Sequence, residues 1–382
     1  MANYKERNVD ALFALVRSGL WPDNQRQLSS AVFQDSVDWD EVYRIASEQS
    51  VMGLVLAGIE HFKNKVPGFK IPQTILLQWI GEVQAIEQQN KAMNDFIGSM
   101  MRKLRDQQID AVLIKGQGVA QCYEKPLWRS AGDVDLLLDD NNYEKGKKYL
   151  VNISETEPEE YSFNKEYSTT IKGWNFELHG SLRSGLSKSF NRGVDMIQSN
   201  ICERHDVRYW SINGDKIALP EENNDVLVIF THYIKHFYKG GLGIRQICDW
   251  CRLLWTFRDT IDVVFLEKNL KLLNLMPEWK AFAAYAVEYL GMPQMAMPLY
   301  VDAKKWNKKA NKIQAFLIEV GNFGHNIDGS YYSNYPYLIR KTYSMFRRVG
   351  ALGRHACIFP FQVVRYLPHV VFMGLKTAIK GE

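Results

Sequence analysis

Two aspartates stand two residues apart in Gly132-Asp133-Val134-Asp135-Leu136-Leu137-Leu138. The apolar residues around them predict a buried strand. Side chains on a strand alternate between faces, so both carboxylates project from the same face. Two acids side by side repel each other and lose hydration, and a cation is the usual compensation. A hard metal held by oxygen ligands suits that pair. A third carboxylate follows in Trp174-Asn175-Phe176-Glu177-Leu178-His179, where Trp174, Phe176 and Leu178 share one face and Asn175, Glu177 and His179 the other.

The elements that must hold these acids are legible around them. Ala111–Ile114 is a short apolar run ended by glycine, which reads as a buried strand. Val119–Tyr123 suits a short helix, interrupted at Lys125-Pro126, and Asn141–Val151 suits another. Tyr161–Ile171 and Trp174–Leu182 pair as a hairpin about Lys172-Gly173, and Val207–Leu219 reads as further strand about the turn Asn213-Gly214. Before this region the chain is helical. Val9–Arg17 is amphipathic, Trp39–His61 carries apolar residues at helical spacing, and Ile75 to about Leu104 reads as one long helix. After Pro220 the helical pattern returns at 221–238, 243–257, 262–272, 277–290 and 303–319. The expected organisation is an α+β chain in three parts: a helical N-terminal arm over 1–107, an α/β core over 108–220, and a helical C-terminal part over 221–382.

The composition fits an enzyme-sized globular protein. The 382 residues are 46% apolar and 24% charged, with a formal charge of +4, too mild to argue for nucleic acid. No apolar stretch reaches the ~18 residues of a membrane span, and the N-terminus lacks a signal-peptide apolar core. Five scattered cysteines fit a reducing compartment. The expected location is cytoplasmic.

Leu113-Ile114-Lys115-Gly116, Arg129 ahead of Gly132-Asp133-Val134-Asp135, Glu177-Leu178-His179 and the downstream His232…Gly243-Ile244-Arg245…Asp249 together resemble the nucleotidyltransferase superfamily with the polymerase-beta-type fold. Within it they resemble the stand-alone bacterial nucleotidyltransferase family 5. The matches span about 110–250. The superfamily pattern is a strand ending in Gly-Ser or Gly-Gly, a helix, a strand with Asp-x-Asp, and a third carboxylate on a later strand. Gln117 stands where many members have serine or a second glycine.

The resemblance implies a small mixed-sheet core flanked by helices, and transfer of NMP, most simply AMP from ATP, to an acceptor with release of pyrophosphate. It implies Asp133, Asp135 and Glu177 as ligands of two Mg²⁺ ions, with Mn²⁺ as a substitute. Ions ~4 Å apart would activate the attacking hydroxyl and stabilise the leaving group. Lys115, Gly116, Gln117, Gly118, Arg129 and His179 become the nucleotide-binding set. Glycine at 116 and 118 lets the backbone approach the phosphates, Lys115 and Arg129 supply charge, and His179 orients the acceptor or caps the metal site. The rival for Arg129 is a salt bridge to the neighbouring acids. The rival for the whole chain, supported by Gln117, is a catalytically silent binding protein on the same fold. The acceptor is not readable from the sequence.

Other residues have plainer readings. His232 and His236, with Cys248 and Cys251 nearby, have zinc-like spacing, but the cysteines lie in an apolar helix and read as core. Arg245 and Asp249 are spaced as a helix pair, and the aromatics from Trp250 to Tyr285 read as core. From 329 to 381 the chain has no Asp or Glu and eight Lys or Arg, interleaved with aromatics. This tail reads as a helical hairpin packed on the core. Its sharper alternative is an electropositive surface for a polyanion or an anionic membrane face.

Overall fold

The computed structural model describes residues 2–21, 30–33, 37–161, 163–239, 241–320 and 353–368. The fold is α+β. Four N-terminal helices, α1 (Ala2–Leu20), α2 (Trp39–Glu48), α3 (Met52–Lys65) and α4 (Gln73–Asp106), lead into the sheet. The run expected as helical from Trp39 to His61 is two helices, because Ser50 between them takes a left-handed turn at φ 56°. Helices α1 and α3 cross closely: a Cβ at Gly58 would stand 2.1 Å from the Leu15 carbonyl oxygen, and one at Gly19 would stand 2.1 Å from that of Leu54. The long α4 joins two apolar clusters. Trp79 and Val83 pack with α1–α3, while Met93, Ile97, Met101 and Leu104 pack beneath the sheet.

The sheet comprises β1 (Val112–Ile114), β2 (Asp133–Leu137), β3 (Glu159–Tyr161), β4 (Glu166–Ile171) and β5 (Trp174–His179), with α5 (Gly116–Ala120) between β1 and β2 and α6 (Asp140–Val151) after β2. Its order is β1-β2-β5-β4-β3. β2 and β5 run parallel and the other neighbours antiparallel, so the sheet is mixed. Alternation then assigns the faces. Leu113, Val134, Leu136, Phe176 and Leu178 turn to the cluster with α4. Val112, Ile114 and Leu137 join the larger core on the other side.

The expected strands around Asn213-Gly214 form a separate two-stranded ribbon, β6 (Val207–Ile212) and β7 (Asp215–Pro220). Positive φ at both turn residues, 49° and 87°, matches the twist of a tight hairpin. Between β5 and this ribbon lies α7 (Lys188–Cys202), a helix absent from the sequence expectation; its Ser187 side chain caps the Phe190 N–H. The C-terminal helices α8 (Glu222–Lys239), α9 (Ile244–Thr256), α10 (Val263–Leu273), α11 (Met276–Glu288) and α12 (Lys304–Val320) follow the expected series to within a few residues. Trp250, Trp279, Phe282 and Tyr285 are fully buried there, as expected, whereas Trp255, Phe257 and Phe265 are only partly covered.

Residues 353–368 close the same core with His355, Phe359 and Tyr366. Of the eight basic residues in the tail, Arg354 and Arg365 fall in this segment. Arg340, Lys341, Arg347, Arg348, Lys376 and Lys380, on which the docking reading rests, lie outside the described residues. Among the described residues no helix is long and apolar enough to cross a membrane.

Candidate active site

The parallel register of β2 and β5 sets Asp133 opposite Asn175, Asp135 opposite Glu177 and Leu137 opposite His179. Asp133, Asp135, Glu177 and His179 line one cleft of about 850 Å³, closed on its far side by α8 and α9. The ligand atoms of Asp135, Glu177 and His179 all lie within 4.8 Å of one another. The imidazole Nε2 of His179 is 2.8 Å from Asp135 Oδ1 and 3.3 Å from Glu177 Oε2.

Lys115 ends β1 in a conformation that L residues rarely adopt, φ 60° and ψ −149°. Strain of this kind costs on the order of 1–3 kcal/mol and persists where the surroundings impose it. Its ammonium lies 2.7 Å from Asp135 Oδ1. Burial pushes the Asp135 carboxyl up, but Lys115 and the His179 hydrogen bond outweigh it and hold the group well below the usual carboxylate range. Asp133 moves the other way: Asp135 beside it, and then burial, raise its carboxyl. Burial works against the cationic forms of Lys115 and His179, yet the acids around them keep both raised. Three carboxylates thus face one ammonium and one imidazole. Oxygen donors gathered on one sheet face, with the His179 nitrogen beside them, fit a hard divalent cation.

The remaining nucleotide-binding candidates are distributed unevenly. Gly116, at φ 43°, lines the cleft beside Lys115. Gly118 faces the ribbon, where a Cβ would stand 2.8 Å from Leu219 Cδ2. Gln117 turns into the interior: its amide donates to Asn90 Oδ1 at 2.6 Å, and its own oxygen finds no partner. Arg129 lines the cleft, but its guanidinium is engaged by Asp249 through two hydrogen bonds of 2.7 Å. Tyr123 Oη donates to the same carboxylate at 2.8 Å. The expected helix pair Arg245–Asp249 is therefore replaced by a clamp between the loop before β2 and α9. Arg245 donates instead to the Ser130 carbonyl, and burial, with Arg129 next to it, depresses its protonation.

Sequence reasoning did not single out Lys235 and Glu166, which also line the cleft. Their signal was available only in part, since Lys235 lies three residues from His232 on one helix face. Burial, then Lys115, lowers both His232 and Lys235, and burial and Lys235 bring His236 down to about 3. The zinc arrangement does not assemble: Cys248 and Cys251 are fully buried in the helical core, and among the described residues the group close enough to share a metal is Asp135, Glu177 and His179.

A mixed sheet with acids in register on two parallel strands, facing a cleft with a glycine turn at its edge, is consistent with the nucleotidyltransferase fold. A family profile described as "uncharacterised nucleotidyltransferase" matches residues 35–291, and the chain belongs to that family. The match begins in the N-terminal helices and ends after α11, so it takes in all of the cleft. No curated protein and no solved structure matches the chain.

Proposed function

We propose that the cleft transfers NMP, most simply AMP from ATP, to an acceptor and releases pyrophosphate. The observation that carries this reading is the β2–β5 register, which sets Asp135 directly beside Glu177 on the sheet face that Asp133 shares. Asp133, Asp135 and Glu177 would hold divalent metal, Mg²⁺ or Mn²⁺, two ions by the resemblance. When bound, such ions neutralise charge on the α-phosphate and the leaving group and lower the pKa of an attacking hydroxyl.

The chain's own residues have separate tasks. Asp133 and Asp135 fix the nucleotide end of the site, and Glu177 the acceptor end. Gly116 leaves the backbone free to approach the phosphates. Lys115, with its ammonium 2.7 Å from Asp135, would supply positive charge for the phosphates at this end of the cleft. His179 holds Asp135 and Glu177 in place through Nε2. Arg129, engaged by Asp249, acts as a positioning residue that ties the loop before β2 to α9. The glutamine that spoke for a silent protein has its side chain outside the cleft, so it blocks no phosphate.

The test combines binding and turnover. Wild type should gain thermal stability with ATP and Mg²⁺ together, because a ligand of the folded state stabilises by RT ln(1 + [L]/Kd). Asp133→Asn with Asp135→Asn should start from a lower melting temperature, because it leaves the largely buried Lys115 without its carboxylate, and should lose that gain. Glu177→Gln should keep most of the gain and lose transfer of α-labelled AMP to acceptors in a cell extract. An equal melting shift in wild type and the double variant would remove the aspartates from the site.

A further inference from the structure

The cleft has a second arm. Past His179 it continues as a shallow, open hollow between α7, α8 and the segment after β5. Its walls include Leu182, Phe190 and Val228, with Ser181, Arg183 and Thr231 as polar groups. Arg183 is held by Asp195 through hydrogen bonds of 2.7 and 2.8 Å. The two arms meet at Lys115, Glu166, His179, His232 and Lys235, which line both.

The two ammonium groups at this junction differ in their partners. Lys115 is paired with Asp135. Lys235 feels Glu166, Asp135 and Glu177 only at longer range, and among the described residues no carboxylate lies within ion-pairing distance of it. His232 meets the His236 ring at 4.5 Å between centroids and stands beside Lys235 at the junction. An ammonium placed in a cleft wall without a counter-charge is costly, and a bound anion relieves that cost. The second arm joins apolar walls to a few polar groups, Ser181, Arg183 and Thr231, the mixture that small-molecule sites use. Lys235 stands where the arms meet, next to the acids, with the His232 imidazole beside it as a neutral hydrogen-bonding group, so an anion held there lies at the reacting end of its molecule.

We propose that the acceptor is a small phosphomonoester, with its phosphate against Lys235 and His232 and its organic part in the second arm. This rests on the nucleotidyl-transfer reading and names its acceptor class. A phosphate oxygen attacks the α-phosphorus and forms a new P–O bond. The bond from that phosphorus to the α–β bridging oxygen breaks, and its electron pair leaves on pyrophosphate. The attacking oxyanion carries no proton, so no base is needed, and the product is a nucleoside 5′-diphosphate ester of the acceptor.

The test uses the full chain saturated with a non-hydrolysable ATP analogue and Mg²⁺, titrated calorimetrically with inorganic phosphate, glycerol 3-phosphate and glycerol. Wild type should bind the two phosphates and not glycerol. Lys235→Met should weaken phosphate binding by at least about tenfold, the loss of one charge-assisted hydrogen bond. Its affinity for the ATP analogue should stay within about twofold. Lys235→Arg, which keeps the charge, should retain phosphate binding and guards against a folding artefact. Three results overturn the proposal: no phosphate binding by wild type, phosphate binding indifferent to Lys235→Met, or an equal loss of the ATP analogue, which would put Lys235 on the triphosphate. If wild type binds no ATP analogue, the transfer reading itself fails and this inference falls with it.

Discussion

Replacing Asp249 by Asn should destabilise the protein severely, and the reason lies in the clamp behind the cleft. The side chains of Arg129 and Asp249 are each 5% exposed and share two hydrogen bonds of 2.7 Å, with Tyr123 adding a third at 2.8 Å. Burial opposes the Arg129 charge, but Asp249 overcomes it and keeps the guanidinium ionised. Removing the carboxylate charge leaves that guanidinium uncompensated in the interior, with Arg245 beside it as a second cation. Breaking a buried pair in this way costs about 3–5 kcal/mol. Most domains have only ~5–15 kcal/mol in total, so the urea midpoint should fall clearly. At this chain length the melting temperature should drop by at least about 5 °C. Arg129→Met combined with Asp249→Leu removes both charges, and this pair should be markedly more stable than the sum of the single losses predicts. The measurement is a double-mutant cycle on urea midpoints, read by tryptophan fluorescence. Additive single effects, or an Asp249→Asn variant that melts like wild type while losing ATP binding, would refute a structural clamp and return Arg129 to the phosphates.

Glu278 offers a pH test away from the cleft: it is fully buried, accepts from Tyr238 at 2.9 Å and from Gln362 at 3.2 Å, and burial pushes its carboxyl up to about 7. Because the folded state then holds a proton that the unfolded chain loses above about 4.3, stability must fall as pH rises from there to about 7. Glu278→Gln should flatten that fall by on the order of 3 kcal/mol, and urea midpoints with the same pH slope in both proteins would sink the idea. Two glycines make a matched pair. Gly58→Ala forces a Cβ toward the Leu15 carbonyl where α1 and α3 cross and should cost at least about 1–3 kcal/mol. Gly81→Ala on α4 meets nothing within 4 Å and should stabilise by about 0.5–1 kcal/mol; a loss at both positions would mean that the close crossing is not what matters.

Much of the site was legible because it depends on the shortest-range rule in a strand. Alternation alone placed Asp133 with Asp135 and Glu177 with His179, each pair on one face, and the structure keeps those faces. The apolar residues between them, Val134 and Leu178, indicate which face packs on α4. The long α4 was equally open to reading, since its periodicity runs unbroken past Pro72. Other features depended on what a residue meets across the fold. Gln117 follows the glycine turn in sequence, but Asn90, 27 positions away on α4, draws its side chain inward. Gly118 reads as a phosphate glycine until Leu219 of the ribbon is seen packed against it. Arg129 sits next to the acids in the chain, yet its partner is 120 positions away.

The same distinction explains why the strands that carry the acids announce themselves and the helix facing them does not. Metal-binding acids on neighbouring strands must share a face and a register, and that requirement leaves a two-residue period in the sequence. A helix that closes a cleft is under a looser constraint. It has to bury one stripe on the core, and α8 does so with Val226, Phe230, Tyr233 and Phe237. Residues at the border of that stripe, such as His232 and Lys235, are free to be chosen for what enters the cleft. Seen along the chain they look like a zinc-like histidine spacing with an ordinary lysine inside it. Only the facing sheet, with Lys115 already given to Asp135, shows that among the described residues Lys235 has no ion-pair partner and meets the acids only at longer range. The sheet side of the cleft is therefore written in its strands, and the helix side in the borders of its buried stripes.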